Sequence, residues 1–129
     1  MDLAVIDIYH IADYNTGLYM SSKVVVDMPI CPNHTVIETE LNDDGSVKVH
    51  IKSTCSHVRD YAKSLTEVGL IDMTSITDSK IMKLAETSHI TPTCLVPVSV
   101  YNACWLESGM ISKTAAKNSP TSTMTFDIE

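Results

Sequence analysis

No stretch of this 129-residue chain approaches the ~18 consecutive apolar residues that mark a membrane span. The opening "MDLAVIDIYHIADY" lacks the basic start and long apolar run of a signal peptide, and carries Asp2 and Asp7 instead. Basic residues are few: nine Lys and Arg stand against sixteen Asp and Glu, giving a net charge of −7. They are scattered, without a run. Nucleic-acid binders need a basic face, so the charge argues against that class. No P-loop, dinucleotide-binding or Ser-His-Asp signature is present, and no cysteine pair has C-x-x-C spacing. The expectation is a cytoplasmic protein with neither a membrane nor a nucleic-acid partner.

What is present is a globular composition, 44% hydrophobic and 19% charged, long enough for one domain with a core of its own. Four cysteines in a reducing compartment point to metal binding, reactivity or packing before disulfides.

Residues 1–19 read as an N-terminal extension that packs loosely or on a partner, with the domain proper at 20–129; an ordinary first element is the alternative. "KVVVDM" (23–28) is a strand by its β-branched content. Pro29 and Pro32 then place Cys31 in a constrained loop. "HTVIETEL" (34–41) and "SVKVHIKS" (46–53) form a hairpin around the Asp-Gly turn at 44–45. In the second of these, Val47, Val49 and Ile51 share one face, leaving His50 on the polar one.

A helix follows, capped by Ser53, Thr54 or Ser56, with Val58, Tyr61, Ala62, Leu65 and Val68 at helical spacing and Gly69 as its stop. "LIDMTSI" is a connector or short helical turn. Ser75 to Asp78 resembles a capping box opening a second helix. "HITPTCLVP" (89–97) is a loop, Pro97 suits the first turn of a third helix, and Gly109 ends it. After a polar linker, 112–123, "TMTFDIE" alternates as a final strand. The expected fold is α+β, in the order β-β-β-α-α-α-β, an antiparallel sheet with helices packed on one face.

Cys31, Cys55 and Cys94 then fall at element boundaries, where sites are usually built. Cys55 meets the positive end of a helix dipole, which favours negative charge, and thiolate is the form that binds metal or attacks electrophiles. Three convergent thiolates with one further ligand suit zinc or an iron–sulfur cluster. His34 and His89, in adaptable surroundings, are candidate fourth ligands, with His89 slightly favoured; surface or capping roles are their alternatives. His57 lies ~200° around the helix from Cys55, an awkward arrangement for a shared ion unless Cys55 stands outside the regular helix. Cys104 falls in the apolar register of the third helix and reads as core.

This order, a cysteine after early strands, one at a helix start and one before the last helix, resembles the U-type iron–sulfur scaffold proteins. The intervals here are 24 residues from Cys31 to Cys55 and 39 from Cys55 to Cys94. The chain departs from the scaffold motifs: Cys31-Pro32-Asn33 replaces Cys-Gly-Asp, and Thr93, not a histidine, precedes Cys94. "S-x-C" at 53–55, "C-x-V-P" ending at Pro97 and the later "LESG" resemble a small uncharacterised three-cysteine family of methanogens and other anaerobes. That resemblance implies an anaerobic cytoplasm and no established activity.

Three functions follow. The first is a cytoplasmic metal- or cluster-binding protein of scaffold or carrier type, which implies a protein partner for transfer and leaves a homo-oligomer through residues 1–19 open. The second is a thiol-dependent enzyme with Cys55 as nucleophile and a histidine as base. The third is a structural or interaction domain whose cysteines only pack.

Overall fold

The computed structural model describes residues 22–129. The extension expected over residues 1–19 lies outside the described residues. Three strands open the described chain: β1 (Ser22–Met28), β2 (Cys31–Leu41) and β3 (Val47–Ser53). Helix α1 (Ser56–Ser64) follows, then β4 (Glu67–Val68), α2 (Leu70–Thr74), α3 (Lys80–Thr87), α4 (Val96–Ser108) and α5 (Lys113–Asn118). The strands form one antiparallel sheet in the order β1-β2-β3-β4.

The pleat sorts the side chains. Val26, Ile37, Val47, Val49 and Ile51 are buried, while Asp27, His34, Lys48 and His50 between them are exposed. Val24 pairs with Ile37 and Ile37 with Ile51, which sets three strands in one register. Helix α4 packs on β1 and β2, and α1 on β3. Along α4, Val96, Val100, Ala103 and Glu107 are buried at helical spacing. Gly109 ends that helix with φ of +85°, the left-handed geometry a glycine adopts without a Cβ penalty. At the other turn, Gly45 takes φ of +90° between β2 and β3.

Four expectations are corrected. The first helix ends at Ser64, and its supposed last turn is diverted: Val68 pairs with Val47 as part of β4, and Gly69 begins α2. Cys31 is not in a loop. Pro29 and Ile30 alone make the turn, so Met28 and Cys31 are strand partners. The register shifts between Asp27 and Met28, leaving Pro32 and Asn33 as extra residues in β2; a bulge is where a strand tolerates proline. The linker after α4 contains α5. The chain does not finish in a strand, so the order β-β-β-α-α-α-β does not hold: residues 120–129 have no regular structure, and Met124, Phe126 and Ile128 are exposed. Alternation makes a strand only when another strand supplies hydrogen bonds and cover.

Candidate functional site

One end of the sheet, where β1 and β3 finish and β2 begins, carries a cavity of about 30 Å³. Strand β1 contributes Val26 and Met28, and β2 contributes Cys31, Asn33 and Thr35. Cys55 and Val58 come from the start of α1, and Cys94 and Val96 from the entry to α4. The three cysteines expected to converge thus line one space. All are partly buried and free of disulfides. The lining includes no histidine, carboxylate or lysine.

Local structure positions each thiol. The bulge in β2 puts Asn33 beside Cys31, and Asn33 Nδ2 donates to Cys31 Sγ at 3.2 Å. Asn33 is itself oriented, because its Oδ1 accepts from Thr54 Oγ1 at 2.9 Å and that hydroxyl accepts from the His34 backbone N–H at 3.0 Å. Cys55 is the N-cap residue of α1, with extended backbone (φ −83°, ψ 128°) and no capping bond from its side chain. Its backbone N–H instead donates to Ser53 Oγ at 3.1 Å. Because Cys55 stands outside the regular helix, it reaches the cavity while His57 is exposed. Cys94 closes a turn through its N–H to Thr91 O at 3.0 Å, and its Sγ accepts from the Val96 N–H at 3.4 Å.

Burial pushes the Cys94 thiol above its ordinary value; the Val96 N–H opposes this, and the neighbouring Cys55 and Cys31 add to it. That the other two thiols act on it follows from their shared cavity. As they stand, no three His, Cys, Asp or Glu side chains among the described residues form a group that could hold a metal ion. The Cys31 and Cys94 sulfurs are each engaged by an N–H of their own segment.

His34 and His89 do not line the cavity. The strand pleat sends His34 to the opposite sheet face, where its Nδ1 meets Asp27 Oδ1 at 2.6 Å, both groups exposed. His89 follows α3 in the left-handed region at φ 59° and is exposed; its N–H caps the helix end through Glu86 O at 3.1 Å. Cys104 is fully buried in the core. Burial, then the charges of Glu107 and Asp72, push its thiol up to about 12.

Of the nine described lining residues, the sequence assigns only the three cysteines to the site; of the other six, Asn33 and Met28 bear most on the sulfur chemistry. Met28 continues the inward series Val24, Val26, and a two-residue turn at Pro29-Ile30 would have set it opposite Cys31. In the sequence Asn33 marks only a departure from the Cys-Gly-Asp motif; its contact with Cys31 comes from the bulge, which depends on the pairing of β1 with β2.

Fold and cavity together define a small α+β domain with three thiols gathered at one end of an antiparallel sheet. The chain belongs to DUF6951, a family of unknown function, whose model matches residues 22–119. That span begins with the first residue of β1 and ends just past α5, so the family unit coincides with the folded part of the described chain. No curated protein and no solved structure matches the chain. Among the described residues, no helix is long and apolar enough to cross a membrane.

Proposed function

We propose that this protein binds a single thiophilic metal ion between Cys31, Cys55 and Cys94 and hands it on as a carrier in the cytoplasm. The observation that carries this reading is that thiols from three separate segments line one cavity. Soft sulfur ligands favour zinc, copper(I) and iron–sulfur clusters. One water needs roughly 10–15 Å³, so a cavity of about 30 Å³ has room for a single ion among the three sulfurs. Binding requires the three sulfurs to draw together from where they stand; metal-bound sulfur still accepts hydrogen bonds, so the Asn33 and Val96 N–H groups stay on Cys31 and Cys94. A nucleophilic Cys55 would instead need a base within hydrogen-bond reach, and no lining residue is one.

The test is titration of the reduced protein with Co(II) under anaerobic conditions. About one equivalent should bind with thiolate-to-cobalt charge-transfer absorption. The absorption should vanish in Cys31→Ala, Cys55→Ala and Cys94→Ala and persist in Cys104→Ala. A folded, fully reduced protein that takes up none of Co(II), Zn(II) and Cu(I) would overturn the proposal. Reconstitution of a stable cluster from iron and sulfide would replace the single ion with the scaffold-like reading.

A further inference from the structure

Resting on the three-cysteine reading above, we infer that Met28 is the fourth ligand, making an all-sulfur Cys₃Met site that selects a soft monovalent ion of the copper(I) class over zinc. Three observations converge on Met28. It lines the cavity with the cysteines. It is the strand partner of Cys31, at the register shift that re-aims this end of β1. The Leu95 N–H donates to its Sδ at 3.3 Å, which places the thioether beside the residue that follows Cys94. The Met28 sulfur is therefore tied to two of the three thiol-bearing segments.

The chemistry of the donors sets the selectivity. A thioether is neutral, soft and polarisable; it contributes well to Cu(I) and poorly to Zn(II), which prefers thiolate, imidazole or carboxylate. Neither imidazole nor carboxylate lines the cavity. A monovalent ion among thiolates leaves net negative charge, and this end of the domain suits it. The nine-residue α1 and the thirteen-residue α4 both begin at the cavity, and helix N-termini favour negative charge. Arg59 also stands there, its guanidinium donating to Thr54 O at 2.7 Å. The Asn33, Val96 and Leu95 N–H groups already point at sulfur.

The experiment compares the wild-type chain with Met28→Leu, each titrated anaerobically with Cu(I) against a chromophoric competitor and separately with Zn(II). Met28→Leu should weaken Cu(I) binding by about tenfold or more and change Zn(II) binding by less than about threefold, as loss of a soft neutral donor demands. Selenomethionine-labelled protein loaded with Cu(I) should show a copper–selenium shell by X-ray absorption, absent in the labelled Met28→Leu protein. If that variant fails to fold, Ag(I) decides with the wild type: it should slow oxidation of Met28 and leave the exposed Met124 unprotected. Cu(I) binding that is indifferent to Met28→Leu, or metal loading without a selenium shell or protection, overturns the role of Met28 and leaves the three-cysteine site standing. A wild-type protein that binds none of these ions overturns both.

Discussion

Cys104 and the three cavity cysteines are the same side chain in different solvents. Cys104 is fully buried among Val100, Ala103 and the rest of the core, so its role is packing. Replacing it with alanine should cost about 1 kcal/mol, the scale of deleting one buried heavy atom, read from a urea midpoint, and leave metal uptake unchanged. Its raised pKa also makes stability depend on pH. The folded thiol titrates near 12 against 9.0 unfolded, so the unfolded chain loses its proton first. The contribution is complete below pH 9 and is lost as pH rises toward 12. Between pH ~8 and ~10.5 this group alone should remove about 2 kcal/mol. Burial raises the Tyr61 hydroxyl in the same direction, so the slope in Cys104→Ala should be shallower but not flat. A slope identical to that of the wild type would mean that Cys104 ionises freely in the native state.

At the level of elements, a few buried polar groups join pieces that apolar packing alone would let slide. The Tyr61 hydroxyl donates to Ile81 O at 2.8 Å, linking α1 to α3. Tyr61→Phe keeps the ring and removes one hydrogen bond to a carbonyl that the α3 helix also engages, so it should cost about 1 kcal/mol with the far-UV circular dichroism of the native fold intact. Glu107 does more. Its carboxylate, buried on α4, accepts from the Ser22 N–H at 2.9 Å, the Ser22 hydroxyl at 2.7 Å and the Leu41 N–H at 2.9 Å. It thereby fastens α4 to the start of β1 and the end of β2. Glu107→Ala takes that acceptor from the buried Ser22 N–H and hydroxyl and from the more exposed Leu41 N–H, and about 3 kcal/mol should be lost in denaturant unfolding. A loss below about 0.5 kcal/mol, the range of ordinary surface changes, would show that the clasp is dispensable.

For the molecule as a whole, the question is whether the cavity supports the fold or the fold supports the cavity. The core runs through the sheet, α1, α3 and α4, and its largest fully buried side chains, Tyr61, Ile37, Leu65 and Ile81, do not line the cavity. A structural zinc site folds its domain outright; here, among the described residues, sixteen buried apolar residues form a core that extends well beyond the cavity. Removing bound metal with a chelator should therefore leave the helical circular dichroism in place, while a collapse of the fold with the metal would make the site structural and defeat the carrier reading. Cys31, Cys55 and Cys94 are partly exposed at one end, with Cys55 and Cys94 packed against the edge of that core.

The local signals in this chain were decisive wherever a short-range rule had no competitor. Val47, Val49 and Ile51 face inward because a strand alternates; Pro97 opens α4 and Gly109 closes it because backbone geometry demands such residues there. The hairpin around Asp44-Gly45 and the core position of Cys104 follow in the same way. Where two arrangements satisfied the local rule, packing chose. Val68 suited a fourth helical turn, but Val47 offered a strand partner. The alternating tail suited a strand, but none of the four strands pairs with it. Boundary positions pointed to a shared site for Cys31, Cys55 and Cys94, but intervals of 24 and 39 residues fix no distance in space. Their meeting was settled by the antiparallel order of β1, β2 and β3 and by the approach of α4 to the same sheet end. His34 depended on one residue of pleat parity, which turned it to the outer face. Met28 and Asn33 entered the cavity through a two-residue turn and the bulge beside it, features of strand pairing that no single segment encodes, because a ladder's register is a property of two chains of hydrogen bonds at once.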